Sequence, residues 1–141
     1  MIAYTDYTFG KLLDGLAASG LEDRTAVFAS SDHGDFAGDY GLIEKWPGGA
    51  DDVLTRVPLL MRIPGGAKGK VVRGPVQTAD VMETMLDLAG VESDWVRFAK
   101  SLRGVLESED EAEEDAALSR MVYSEGGFFC EFGMVRVVMS L

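Results

Sequence analysis

The chain has one cysteine and one histidine in 141 residues. Cys130 cannot form an internal disulfide, so no disulfide framework holds the fold and no redox compartment is implied. Any imidazole chemistry rests on His33 alone. No apolar run approaches the ~20 residues that a membrane-spanning helix needs. The first ten residues, MIAYTDYTFG, have neither a basic n-region nor a long apolar h-region and do not read as a signal peptide. Basic residues are few, 13 against 24 acidic, for a net charge of −11. Such a charge repels nucleic-acid phosphates and anionic membrane surfaces, which argues against both as partners. Residues 107–115 hold seven of the acids and no base, leaving only −4 on the rest. The acidity is therefore a local, solvated stretch and says little about substrate.

What remains is 47% hydrophobic, enough for one domain with a core. Phe9, Leu12, Leu13, Leu16 and Ala17 recur at helical spacing, and Gly20 follows where a C-terminal cap belongs, so 1–19 is predicted helical. LEDRT (21–25) reads as a polar turn. AVFA (26–29) is short and continuously apolar, as in a strand covered on both faces of a parallel sheet. Residues 32–52 form a glycine-punctuated loop whose aromatics, Phe36, Tyr40 and Trp46, argue against disorder. A short helical turn is expected at 51–56 and a second buried strand in VPLLMRIPGG (57–66), stopped by Pro64-Gly65-Gly66. After a basic connector, Thr78 is expected to cap a helix, TADVMETMLDLAG, with Asp80 in its first turn and Gly90 beyond its end. Strands are expected at 121–124 and within 132–141. Alternating helices and buried strands indicate an α/β layered domain.

The chemistry concentrates in TAVFASSDHGDFAGDYGLIEK (25–45). Asp32 and His33 sit where an apolar strand gives way to loop, the crevice in which open α/β sheets bind ligands. Adjacent residues on irregular backbone can turn toward one ion. Carboxylate oxygen suits hard cations such as Ca²⁺ and imidazole suits Zn²⁺ and transition metals, so the pair alone leaves the ion open. The same pair also reads as an ordinary loop histidine beside a turn-forming aspartate. Asp35 and Asp39 add carboxylates that read equally well as solvated loop residues. Lys45, beyond the glycines, is a candidate fixed positive charge for an anionic substrate or developing oxyanion.

The ordered set SDHG, Gly38-x-x-Gly41, Lys45 twelve residues after His33, Arg56-Val57-Pro58-Leu59 and Pro64-Gly65 resembles the second half of the sulfatase catalytic domain, in the alkaline phosphatase superfamily. GLEDRTAVFAS before it resembles the family's approach to the motif. Asp80, Thr84 and LDLAGV (86–91) resemble a family helix, and Ser101-Leu102 its "G-SL" segment. The likeness covers residues 4–106. It implies an incomplete alkaline phosphatase-like domain with a mostly parallel sheet and flanking helices, continuing through the acidic loop 107–115 into terminal strands at 121–141. It implies Asp32 and His33 as ligands of a divalent cation, usually Ca²⁺, and Lys45 as the contact to sulfate. Tyr40 stands where many members have histidine, and Ala99-Lys100 replaces the usual glycine before Ser-Leu.

The resemblance also implies a formylglycine nucleophile made from a C/S-x-P-x-R sequence, and an early Asp-Asp pair of metal ligands. Neither occurs here, and Cys130 lies in FFCEFGM, without the required neighbours. The expectation is a C-terminal piece of a sulfuric ester hydrolase, inactive by itself and weak for metal, whose whole form acts on a sulfate-ester small molecule or sulfated glycan. Export to the periplasm or outside the cell is a family habit. A phosphodiesterase, phosphatase or phosphonate monoester hydrolase of the same superfamily, and a non-catalytic homologue, are the alternatives. EGGFF (125–129) is a candidate for the rim of the substrate pocket.

Overall fold

The computed structural model describes residues 1–45, 51–92, 94–108, 119–124 and 138–140. The chain begins with helix α1, Ile2–Ala18, which ends as its sequence requires: Gly20 takes φ +70, a value open to glycine at little cost. A 3₁₀ turn at Glu22–Arg24 leads into strand β1, Val27–Ser30. The long loop follows, then the four-residue helix α2, Asp52–Thr55, and strand β2, Leu59–Arg62. Helix α3 is Ala79–Leu88 and helix α4 is Arg103–Glu107. Short strands β3, Val122–Ser124, and β4, Val138–Ser140, close the described chain.

The sheet runs against expectation. A mostly parallel sheet is predicted, yet β1 pairs antiparallel with β2, and β3 antiparallel with β4. The register explains why. Ser30, the last residue of β1, pairs with Leu59, the first of β2, so the chain leaves and re-enters the sheet at one end. A parallel pair needs a crossover that carries the chain back along the sheet, usually on a helix. The described residues between β1 and β2 hold only a 3₁₀ turn and α2. The expected cover on both faces is met only in part, since no residue of β1 or β2 is fully buried and Leu60 is exposed. Paired residues share a face, and Val27, Ala29 and Leu60 share an apolar groove of about 130 Å³ with Phe9 and Leu13 of α1. On the other face, Leu59 and Met61 pack against the buried pair Leu102 and Val105 of the α4 segment. Of the apolar positions predicted along α1, Leu12 is exposed, and no residue of the helix is buried.

The N-terminus of α3 departs from the sequence reading in a second way. The Thr78 hydroxyl makes no capping hydrogen bond. The Asp80 and Val81 N–H groups donate to the backbone carbonyls of Gln77 and Thr78 instead (2.9 and 3.1 Å), and Asp80 is buried rather than displayed to solvent. Its Oδ2 accepts from the Gln77 N–H (2.9 Å) and its Oδ1 from the Lys100 N–H (2.9 Å) and Arg120 Nη1 (3.0 Å), with Nη2 of Arg120 on Oδ2. One turn later Thr84, also fully buried, donates to the Asp80 carbonyl (2.7 Å) and accepts from the Leu102 N–H (2.9 Å). Ser101 donates to Asp87 at 2.5 Å. Asp80, Thr84 and Asp87, on one face of α3, thus hold the 100–102 segment that delivers Leu102 to the core. Lys70 Nζ donates to the carbonyls of Val105 and Ser108 at the end of α4 (3.0 and 2.8 Å), so the basic connector is tied in as well.

Candidate functional site

The site is assembled by a loop that folds back on itself. The Phe36 N–H donates to Glu44 O (2.8 Å) and the Gly38 N–H to Leu42 O (2.9 Å). Those bonds bring the two limbs of the loop side by side, so His33 and Lys45 meet although twelve residues separate them. Phe36, 2% exposed, anchors the loop from inside, and Tyr40 meets it edge-on with ring centroids 6.2 Å apart. The turn is tight enough to need left-handed backbone at Gly38 and Gly41 and also at Ala37, Tyr40 and Glu44. Each non-glycine residue in that region costs on the order of 1–3 kcal/mol, and such strain gathers at functional sites.

The three residues predicted to carry chemistry converge. Lys45 Nζ lies 2.9 Å from His33 Nε2, and Asp32 Oδ2 lies 3.5 Å from the same nitrogen. Asp32 Oδ1 accepts the His33 backbone N–H at 3.0 Å. That hydrogen bond, then the charge of the His33 ring, and more weakly Lys45, hold the Asp32 carboxyl below the ordinary carboxylate range. Asp32 is therefore anionic at neutral pH although its side chain is 86% exposed; the His33 side chain is 42% exposed. His33 Nδ1 lies 2.8 Å from Gly34 O.

Two contributors lie outside the predicted set. Ser31 Oγ donates to His33 O (2.7 Å), fixing the backbone on which both Asp32 and His33 ride; a serine just before a turn-forming aspartate is the available sequence signal. Gly34 donates its N–H to Leu54 O (2.8 Å). Its place in the DHG tripeptide marks it, but its partner in α2 is not readable from the sequence. Asp35 and Asp39 take no part: the Asp35 carboxylate accepts the Ala37 N–H (2.7 Å) as a turn. Among the described residues, no group of three or more His, Cys, Asp or Glu side chains is placed to hold a metal ion. Trp46, EGGFF, Cys130 and residues 109–115 and 132–137 lie outside the described residues.

An ionised carboxylate, an imidazole nitrogen and an ammonium thus lie together just after β1, and the first two are donor types that a divalent cation takes. A family model described as Sulfatase matches residues 1–91, and the chain belongs to the sulfatase family. It is 31% identical over 127 residues to an ulvan-active sulfatase of Formosa agariphila, covering 88% of this chain and 25% of that protein. A choline-sulfatase of Rhizobium meliloti is 38% identical over 96 residues, 68% of this chain and 18% of that one. Among solved structures, one in complex with its substrate D-glucosamine-2-N,6-O-disulfate superposes with a TM-score of 0.79 at 28% identity, over 96% of this chain and 27% of the other. The phosphonate monoester hydrolase of Agrobacterium radiobacter superposes with a TM-score of 0.77 at 28% identity, over 93% and 26%. The chain spans a quarter or less of the length of these curated relatives. No helix among the described residues is long and apolar enough to cross a membrane.

Proposed function

We propose that Asp32, His33 and Lys45 form one wall of the catalytic pocket of a sulfuric ester hydrolase. Asp32 and His33 are two ligands of a divalent cation, Ca²⁺, and Lys45 contacts the sulfate group of a small sulfate ester or sulfated glycan. The observation that carries this reading is that Lys45 Nζ and Asp32 Oδ2 both approach His33 Nε2, at 2.9 and 3.5 Å, just beyond the end of β1. When bound, the cation supplies positive charge to sulfate oxygens. The chain's own residues do the rest. Asp32 and the Nε2 of His33 supply neighbouring ligand atoms, and the Lys45 ammonium offers a positive charge to an anionic oxygen. No C/S-x-P-x-R sequence occurs in the chain, so the reading assigns it no nucleophile and no turnover by itself.

Two ligands are far short of the six to eight oxygens that Ca²⁺ takes, so affinity is set in the weak range, on the order of 10⁻³ M. Calorimetric titration of Ca²⁺ into the chain tests this. Saturable binding that is lost in Asp32→Asn and kept in Asp23→Asn is expected, with Lys45→Met keeping the cation but losing the response to added inorganic sulfate. Equal binding by wild type and Asp32→Asn would remove the assignment. The phosphonate monoester hydrolase neighbour superposes almost as well as the sulfated-substrate complex, which supports phosphonate monoester cleavage as the second reading. Methylphosphonate esters in place of sulfate in the same titration separate the two.

A further inference from the structure

We propose that Gly34 is the positioning residue of this half-site: its carbonyl, on backbone braced by α2, fixes His33 as the Nδ1–H tautomer and turns the Nε2 lone pair toward the Lys45 ammonium. The proposal rests on the assignment of His33 as a ligand made above. It deepens that assignment by naming what orients the ring.

The two groups within hydrogen-bond distance of the imidazole demand the same proton placement, while the Asp32 carboxylate, 3.5 Å from Nε2, lies beyond it. Gly34 O, 2.8 Å from Nδ1, has no proton to give, so Nδ1 must donate. The Lys45 ammonium, 2.9 Å from Nε2, has no lone pair, so Nε2 must accept. The partners differ in rigidity. Lys45 is an exposed, flexible side chain. Gly34 is held at its own amide by Leu54 O (2.8 Å), and its Cα is pressed so close to the Val53 carbonyl that a Cβ there would overlap the oxygen. Leu54, which carries that acceptor, is itself buried, and Thr55 Oγ1 bonds back to Asp51 O (3.1 Å) to close the α2 turn. Glycine is required at 34 by this close approach, since its backbone is otherwise within reach of any residue. A ring nitrogen that ligates is tuned by the hydrogen bond at the other nitrogen, commonly to a backbone carbonyl. Here that carbonyl belongs to the next residue and is anchored by an element twenty positions downstream.

His33 is the sole histidine, so its ring nitrogens are unambiguous in a two-bond ¹H–¹⁵N correlation spectrum of the full chain. The spectrum is taken at about pH 8.5 and repeated about one unit higher to show that the shifts no longer change with pH. The expected result is one tautomer, with Nδ1 protonated and Nε2 bare, unchanged in Lys45→Met. Gly34→Ala should lose the single tautomer and give a mixture. An Nε2–H ring in the wild type, or a switch to it in Lys45→Met, overturns the proposal. So does a folded Gly34→Ala chain that keeps the single tautomer. If Gly34→Ala does not fold, the wild-type and Lys45→Met spectra decide by themselves. Absence of Ca²⁺ binding with the Nδ1–H tautomer intact would sink the cation reading and leave the positioning role standing.

Discussion

Asp32 and Asp80 show how far environment decides what an aspartate does. Asp32 stands 86% exposed, bonded to one backbone N–H, with an imidazole and an ammonium beside it. Asp80 is fully buried and accepts from two backbone N–H groups and a guanidinium. The first is available to a ligand; the second is spent on structure. Because the Asp32 value is lowered on folding, its contribution is present above the unfolded carboxylate value and is lost only as pH falls through the lowered folded value. A ¹³C titration should therefore place its midpoint below that of an ordinary aspartate, and His33→Phe should raise it. A midpoint at or above the ordinary value would contradict the geometry.

Removing Arg120 leaves the Asp80 charge buried with only backbone partners. Arg120→Ala should cost about 3–5 kcal/mol in urea unfolding, the scale for breaking one side of a buried pair. Thr84→Val keeps the volume but strands the Leu102 N–H, at a cost of about 1–3 kcal/mol. By contrast, the half-exposed Arg62–Glu22 pair, at 2.6 Å, is worth at most about 1 kcal/mol, so Glu22→Gln should be close to neutral. A neutral Arg120→Ala with a costly Glu22→Gln would invert this ranking.

At the scale of elements, the sequence is most legible where local chemistry decides. Gly20 and Gly90 stop α1 and α3 with positive φ, as their positions after apolar periodicity require. β2 falls inside its predicted apolar run, α2 inside 51–56 and β3 inside 121–124, while β1 runs one residue past the predicted 26–29 to Ser30. Strand direction is not local. An apolar tetrapeptide such as VFAS carries no sign of which way its neighbour runs, and the antiparallel pairing follows from where residues 31–58 return the chain. The start of α3 departs from the sequence for a related reason. Thr78 fits the local preference for a cap but makes no capping bond, and Asp80 is drawn inward because Lys100 and Arg120 from distant segments complete its burial.

The loop from Asp32 to Lys45 lies between these cases. Its residues and spacing are visible in sequence, while the pairing of Phe36 with Glu44 and the brace of Gly34 on α2 are tertiary. Its strain predicts a stabilising substitution. Ala37 sits at φ 49, so Ala37→Gly should raise stability by about 1 kcal/mol, less glycine's greater entropy in the unfolded chain. A clear loss of stability in Ala37→Gly would mean that the left-handed turn is not formed.

At the scale of the whole molecule, the chain couples two functions of one scaffold. The α3 face, through Asp80, Thr84 and Asp87, seats the segment that buries Leu102 and Val105 against Leu59 and Met61. That contact covers one face of the strand pair, while α1 lines the groove on the other. The open end of β1 is thereby fixed in place, and it delivers Asp32 and His33. The loop's own hydrogen bonds account for the meeting of His33 and Lys45.

The central claim is that Asp32, His33 and Lys45 act as one cation- and sulfate-receiving unit. The most direct measurement is the ¹⁵N shift of His33 Nε2 as Ca²⁺ is added to the full chain. A saturable shift of Nε2, absent in Asp32→Asn and followed by a second shift on adding sulfate only when Lys45 is present, is the predicted result. An Nε2 resonance that stays put through about ten times the millimolar range expected of so open a site, or that moves equally in Asp32→Asn, would contradict it.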